Sequence, residues 1–219
     1  MIDLHLHTLF SDGALIPAEL IRRLESLGYE AAAITDHSDS SNLDFIVPRI
    51  VKVSAELNKA QSVKVIPGVE LTHIPVPMIA SLVEKARSLG AKLVVMHGET
   101  IVEPVAAGTN HAALEAGVDI LAHPGLIDVK DAELAAEKGI FLEISARQGH
   151  SLANGHVFQC ARQTGANLII NSDGHSPRDL LTDKFAKKVV MGAGMPSDAF
   201  NTLLNNSRGI INRVENQNI

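Results

Sequence analysis

A regular alternation of short aliphatic runs with longer segments of helical period extends along almost the whole chain, and it constrains the fold more than any other feature. The aliphatic runs lie at residues 2–7, 31–35, 63–66, 92–96, 120–122, 141–144 and 167–171. Helices are predicted between them at residues 17–27, 44–60, 77–89, 109–116, 131–138 and 154–164. This pattern is typical of repeated βα units, which build a parallel sheet or a barrel.

The end of the chain continues this pattern less regularly. We expect a helix at residues 177–187, a short apolar run at 189–191 and a further helix at 197–205, after which the sequence turns polar. No linker, low-complexity tract or repeat interrupts the 219 residues, so a single domain over residues 1–219 is predicted. With 46% hydrophobic and 20% charged residues, the composition is that of a folded globular protein.

The charge and the aromatic content exclude some classes of partner. The formal net charge is -6, no run of Lys or Arg occurs, and the chain has no Trp and only one Tyr. We therefore expect no general nucleic-acid binding and no platform for base stacking. A small anionic substrate is still compatible with this charge, because a bound metal ion inverts the local sign.

The first residues do not resemble a secretory signal, because Asp3, His5 and His7 fall where its apolar core would lie. No apolar stretch reaches the length of a membrane span, and the single cysteine, Cys160, permits no internal disulfide. We therefore expect a cytoplasmic protein without membrane contact, in which Cys160 packs in the core.

Most of the ten histidines follow an aliphatic run. Together with carboxylates they stand at or just after the ends of six predicted strands: His5 and His7, Asp36 and His37, Glu70, His97, His123, and Asp173 and His175. Active sites of parallel barrels lie at the carboxyl ends of the strands, where the loops share one rim. These side chains are therefore expected to converge.

Each of these motifs has an ordinary structural interpretation when it is taken alone. His5 and His7 lie two apart on one strand face and can chelate an ion, but core or surface histidines would show the same spacing. Asp36 could cap a helix, and the segments 123–125 and 172–175 could be turns. Their joint occurrence at strand ends favours a metal site. Imidazole and carboxylate donors without cysteine suit Zn, Mn or Fe, and a bridging carboxylate suits a cluster that activates water for hydrolysis.

The order and combination of the motifs resemble the PHP family, the polymerase and histidinol phosphatase domain. The resemblance rests on His5-Leu6-His7-Thr8, Ser11-Asp12-Gly13, Thr35-Asp36-His37, Pro67-Gly68-Val69-Glu70, His97, Ala122-His123-Pro124 and Ser172-Asp173-Gly174-His175. It implies an α/β fold, a distorted seven-stranded (β/α)7 barrel, with a trinuclear site for divalent Zn, Mn or Fe. By this likeness the ligands form three sets: His5, His7, Glu70 and Asp173; Glu70 as a bridge with His97 and His123; and Asp12, His37 and His175.

The resemblance further implies a free-standing phosphoesterase, similar to histidinol-phosphate phosphatases, that hydrolyses a phosphate monoester of a small metabolite with a metal-activated hydroxide. The expected catalytic residues are Glu70, Asp173, His175 and Arg147. Arg147 and His150 follow the sixth run and suit a phosphate clamp, although a rim ion pair and a loop hydrogen bond would also explain them. Arg178 is expected to reach the substrate, unless it only lies on the first turn of a helix.

Three alternatives stay open. A phosphodiesterase or exonuclease on nucleotides or short oligonucleotides would show chain-length-dependent cleavage. A hydrolase of C–N or ester bonds would release no phosphate, and a silent metal-binding domain would lack activity.

His73, Glu99 and Glu103 lie near the rim and are expected to support the ligands without binding metal. The sequence does not predict the substrate, the metals bound in the cell or the oligomeric state.

Overall fold

Seven parallel strands with intervening helices form a nearly closed barrel in the computed structural model, which describes residues 1–216. In chain order the strands are β1 (Ile2–Asp3), β2 (Ala31–Ile34), β3 (His37–Ser38), β4 (Lys64–Leu71), β5 (Leu93–His97), β6 (Ile120–Ala122), β7 (Phe141–Ser145) and β8 (Leu168–Asn171). The short β3 pairs only with β4, and the barrel follows the order β1-β2-β4-β5-β6-β7-β8. A bridge between Leu6 and Gly174 brings the last strand back to the first. The predicted α/β fold and seven-stranded (β/α)7 barrel are confirmed.

The helices alternate with the strands. They are α1 (Pro17–Ser26), α2 (Leu43–Ala60), α3 (Ile79–Ser88), α4 (Thr109–Glu115), α5 (Val129–Lys138), α6 (Asn154–Thr164), α7 (Asp183–Gly192) and α8 (Ala199–Asn216). The first six lie within a few residues of their predicted positions. The predicted domain also includes residues 217–219, which lie outside the described residues.

The prediction of a helix at residues 177–187 is wrong. The Asp179 carboxylate accepts hydrogen bonds from the backbone N–H groups of His175 and Ser176, which closes a turn where the helix was expected. The helix starts later, at α7, where the Thr182 hydroxyl accepts from Phe185 N. The apolar run at 189–191 is therefore part of α7.

The barrel interior is aliphatic, as expected for a chain poor in aromatic residues. All five residues of β5 and all four of β8 are buried, which is typical of parallel strands covered on both faces. Along residues 1–216, no helix combines the length and the apolar character that crossing a bilayer requires.

Strand β4 is longer than predicted and continues through the Pro67-Gly68 pair. Gly68 is closely packed between its two neighbouring segments, since a Cβ there would be 2.9 Å from Thr35 Cγ2, just after β2, and 3.0 Å from the carbonyl oxygen of Leu93 in β5. The strand therefore carries Glu70 inside the sheet, paired in register with His37 of β3. Glu70 was predicted just after the end of the run at residues 63–66, and its position within the strand holds it more rigidly than a loop would.

Candidate metal centre

Four side chains from the ends of three strands meet inside the mouth of the barrel. His5 and His7 follow β1, Glu70 lies in β4, Asp173 follows β8, and all four are buried. Nε2 of His5 is 3.4 Å from Glu70 Oε1 and 3.7 Å from Asp173 Oδ1. Nε2 of His7 is 3.7 Å from Glu70 Oε2 and 3.3 Å from Asp173 Oδ1. The structure therefore brings together the residues assigned to one metal by resemblance.

The spacing of these donor atoms fits a metal ion better than a set of hydrogen bonds. Ligands at about 2.1 Å from a tetrahedral ion lie about 3.4 Å from one another, whereas N–H···O hydrogen bonds are about 2.9 Å long. His5 Nε2, His7 Nε2, Glu70 Oε1 and Asp173 Oδ1 are buried without a hydrogen-bond partner. Unpaired buried polar atoms cost free energy, and a cation between them would remove that cost.

Asp12, His37 and His175 form a second group with the same spacing. Asp12 Oδ1 is 3.5 Å from His37 Nε2 and 3.2 Å from His175 Nε2, and the two Nε2 atoms are 3.4 Å apart. Nδ1 of His37 lies 2.6 Å from Glu70 Oε2 and 2.7 Å from Thr72 Oγ1, and a ring proton on Nδ1 leaves the lone pair that a metal needs on Nε2. Glu70 thus links this group to the first one.

The third group extends from Glu70 towards His97 and His123. Nε2 of His123 is 3.6 Å from Glu70 Oε1, and His97, His123 and His150 each place one ring nitrogen within 4.8 Å of the others. The rings of His123 and His150 stack with centroids 4.1 Å apart. His150, predicted to bind substrate, therefore lies among the candidate ligands.

Glu143 orients the candidate ligand His5 through the ring nitrogen that faces away from the metal site, a role that the sequence analysis did not predict. Nδ1 of His5 donates to Glu143 Oε2 at 2.8 Å, and Asn171 Nδ2 donates to the same oxygen at 2.9 Å. A carboxylate that accepts one ring N–H fixes the tautomer, so that the other nitrogen faces the metal. In the sequence, a single charged residue in the middle of the otherwise mostly apolar strand β7 could have indicated this role.

Asp36 also acts on a ligand indirectly, by shaping the loop that carries Asp12. Its carboxylate accepts hydrogen bonds from the backbone N–H and the hydroxyl of both Thr8 and Ser11. Asp36 is buried, with the four donors at 2.7–3.2 Å. The loop is thereby held over the end of β1, next to His175.

Comparison with known proteins agrees with this geometry. The PHP domain profile matches residues 3–121, which is more than half of the chain. The uncharacterized protein MJ1295 of Methanocaldococcus jannaschii is 49% identical over 215 residues, covering 97% of this chain and 99% of that protein. This chain belongs to the PHP domain family. The DNA polymerase/3'-5' exonuclease PolX of Bacillus subtilis is 25% identical over 195 residues, which cover 80% of this chain and 34% of PolX.

Solved structures share the fold of this chain at low identity. A chain in the structure of archaeal ribonuclease P with mature tRNA has a TM-score of 0.75 at 18% identity, covering 98% of this chain and 91% of that one. The histidinol phosphate phosphatase of Lactococcus lactis, complexed with zinc, L-histidinol and phosphate, has a TM-score of 0.60 at 16% identity, covering 89% and 94%. Family membership confirms the prediction of a metal-dependent hydrolase of the phosphoesterase class.

Six of the nine candidate ligands of this PHP domain line a cavity of about 450 Å³: Asp12, His37, His97, His123, Asp173 and His175. Arg147 lines it, and its Nη1 donates to the Asp173 carbonyl oxygen at 3.2 Å. His150 also lines it, with Nδ1 2.7 Å from Thr100 Oγ1. Arg178 is exposed and is not among the described residues that line this cavity.

The electrostatics of the PHP site leave some imidazoles neutral and hold one carboxylate ionised. Burial lowers the pKa of His97 to about 3, so that its ring keeps a lone pair at neutral pH. Burial opposes ionisation of Glu70, but His37 and His5 outweigh it and hold the pKa of Glu70 well below its usual range. Burial raises the pKa of Asp173 to about 6, against the opposing effect of His5. A divalent cation would favour the ionised form of this carboxylate.

The residues expected to support the ligands separate into two kinds. Glu99 turns away from the PHP cavity, and its Oε1 accepts from Gly108 N and Asn110 N at the start of α4. His73 and Glu103 instead line the cavity at its mouth. Their Nε2 and Oε2 atoms lie 3.3 Å apart.

Proposed function

We propose that this chain is a phosphoesterase that hydrolyses a phosphate monoester of a small metabolite at a site for three divalent metal ions. One observation carries the proposal: the buried donors of His5, His7, Glu70 and Asp173 lie at tetrahedral spacing, without hydrogen-bond partners, under a cavity with an arginine in its wall. Such a cavity suits an anion that is bound by metal and guanidinium together.

Three sets of residues would hold the ions. They are His5, His7, Glu70 and Asp173; Glu70, His97 and His123, with His150 beside them; and Asp12, His37 and His175. The chemistry that bound divalent ions supply is a lowered pKa of water and stabilisation of charge on phosphoryl oxygens. The absence of cysteine from the sets suits Zn, Mn or Fe.

The protein groups around the ions bind and orient the substrate. A guanidinium has five N–H donors, so Arg147 can hold a phosphoryl oxygen while one donor stays on the Asp173 carbonyl. The contact with Thr100 fixes the ring of His150 at the cavity wall, where its other nitrogen can bind the phosphoryl group or a metal ion. Glu70, Asp173 and His175 contribute as ligands that fix the position of the reacting water.

The fold of the histidinol phosphate phosphatase with zinc, L-histidinol and phosphate supports a small phosphorylated substrate. A cavity of about 450 Å³ is of the size that small-molecule ligands occupy. The similarity to PolX favours a second candidate, a phosphodiesterase or 3'-5' exonuclease that acts on nucleotides or short oligonucleotides. A cytoplasmic location stays a prediction.

Phosphate release from a substrate panel tests the proposal. The protein is stripped with a chelator, reloaded with Zn, Mn or Fe, and offered histidinol phosphate, sugar phosphates, nucleotides and oligonucleotides of increasing length. We expect metal-dependent release of inorganic phosphate from one class of monoester. Cleavage that requires an oligonucleotide would favour the second candidate, and metal uptake without hydrolysis of any phosphoester would refute both.

Arg147→Ala is expected to weaken substrate binding more than turnover. The guanidinium lies in the cavity wall and would bind the phosphoryl group in both ground state and transition state, so KM should rise about tenfold with a smaller fall in kcat. The matched control is Arg178→Ala, which removes the same charged group outside the cavity lining. Steady-state kinetics of both variants decide the assignment, and equal KM values for Arg147→Ala and wild type would contradict it.

A further inference from the structure

His73 and Glu103 place two more donor atoms at the mouth of the cavity, outside the nine residues assigned by resemblance. His73 follows β4 by two residues, and Glu103 lies in the loop between β5 and α4. Glu103 Oε2 is 3.3 Å from His73 Nε2 and 3.1 Å from His97 Nε2, and all three donors lie within 4.8 Å of one another. These distances are close to those between the buried candidate ligands.

The backbone of His73 provides an independent observation. In residues 1–216 a positive φ occurs at three residues other than glycine: 51° at His73, 27° at His123 and 52° at Asp173. His123 and Asp173 are candidate metal ligands that follow β6 and β8 by one and two residues. Left-handed backbone at a residue other than glycine is strained, and such strain is concentrated at functional sites. His73 thus shares with two ligands a conformation that an ordinary surface residue does not need.

An exposed His–carboxylate pair elsewhere in the chain shows what a simple ion pair looks like. His111 Nδ1 and Asp131 Oδ1 are 2.8 Å apart, between α4 and α5. Neither residue has a positive φ, and this pair is not part of a candidate group of three donors among the described residues. Glu103, in contrast, is also 3.5 Å from His150 Nε2 through its Oε1. One carboxylate at the mouth is therefore surrounded by three imidazoles.

We call His73, His97 and Glu103 the outer group, and His97, His123 and His150 the inner group. The outer group is more exposed, and the two groups share His97. The side chains of His73 and Glu103 are 44% and 37% exposed, whereas that of His97 is 3% exposed. His97 belongs both to the outer group and to the buried group with His123 and His150. A neutral imidazole offers one lone pair, so His97 can ligate an ion in only one group at a time.

We propose that His73 and Glu103 form an entry position for divalent cations, from which an ion passes to the buried ligands by exchange around His97. The inference rests on the proposed function only in requiring that the buried ligands bind metal. The outer donors capture a hydrated ion from solvent, and His97 then retains it while His123 and the inner carboxylates replace His73 and Glu103. The outer position is a transit site and is empty once the inner ligands are filled.

The rate of metal uptake tests this proposal without a substrate. Chelator-stripped protein is mixed with Co²⁺ in a stopped-flow instrument, and the visible absorption of the bound ion is followed. The variants are His73→Asn, which tolerates the left-handed backbone, and Glu103→Gln. We expect uptake to be about tenfold slower in each variant, because the outer position would lose one of the donors that capture the ion. The final Co²⁺ content should equal that of wild type.

The matched controls are His111→Asn and Asp131→Asn, which remove the same groups from the exposed pair and should leave the uptake rate unchanged. Wild-type rates in both His73→Asn and Glu103→Gln would overturn the proposal. A lower final Co²⁺ content would also overturn it, because the outer position would then be a resident site. A wild-type protein that binds no Co²⁺ would refute the metal centre of the proposed function itself, which distinguishes the two failures.

Discussion

Glu70→Gln is expected to abolish phosphate release almost completely and to remove at least one metal ion from the protein. The two oxygens of Glu70 face different partners, since Oε1 lies near His5 and His123 while Oε2 lies near His7 and His37. A glutamine keeps the shape but loses the charge and replaces one oxygen with an N–H₂ donor, so it cannot bridge two cations. We expect kcat to fall at least about 1000-fold, as when a preorganised electrostatic group is lost from an active site.

The fold should survive the change, because Glu70 is surrounded by imidazoles in a rigid strand and Gln has almost the same volume. In the metal-free protein the free energy of unfolding should fall, because His37 and His5 favour the ionised form of Glu70 in the folded state and Gln loses this interaction. Glu84→Gln makes the same chemical change on the exposed side of α3 and serves as the control. Metal content measured by mass spectrometry and phosphate release together give the answer. A fully metallated, active Glu70→Gln variant would rule out the bridging role.

Much of the barrel could be predicted because its strands are short aliphatic runs between segments of helical period, a pattern that is contained in the local sequence. The candidate ligands could be predicted for a related reason. His5, His97 and Asp173 follow or end strands, and parallel strands bring their carboxyl ends to one rim whatever the details of the loops. The position of Glu70 was predicted less accurately, because Pro67 and Gly68 are typical turn residues and the pairing of β4 with the strands on both sides of it is not visible in the local sequence.

Other features depend on contacts between distant segments, which the local pattern does not contain. Pro177 suggests the start of a helix, but the Asp179 carboxylate binds the preceding backbone instead. Glu143 orients His5 although 138 positions separate them. The contact of Glu103 with His73 requires two loops to meet. The convergence of the candidate ligands could therefore be predicted from the sequence, while the groups that orient and surround them could not.

Gly125→Ala is expected to destabilise the fold strongly, because this glycine lets the loop after β6 pack directly on the loop after β5. Its φ is 62°, and a Cβ would lie 1.8 Å from the carbonyl oxygen of Glu99. Two hydrogen bonds hold the same region together: Gly98 N, in the loop after β5, donates to Ala122 O at the end of β6, and Asn110 Nδ2 of α4 donates to Pro124 O in the loop after β6. A methyl group at Gly125 must push them apart, which would separate the rings of His97 and His123, now 4.5 Å apart.

Gly139→Ala is the matched control, because Gly139 has nearly the same φ, 65°, at the end of α5 but nothing within 4 Å of its added Cβ. The free energy of unfolding of Gly139→Ala should fall by only about 1 kcal/mol, which is the cost of placing an alanine in the left-handed conformation. Gly125→Ala adds the cost of forcing an atom into packed backbone, so its total loss should reach about 3 kcal/mol or more. Urea unfolding of both metal-free variants measures the free energies of unfolding. Equal losses would mean that the two loops separate easily, and His97 and His123 would then not be held in a preformed site.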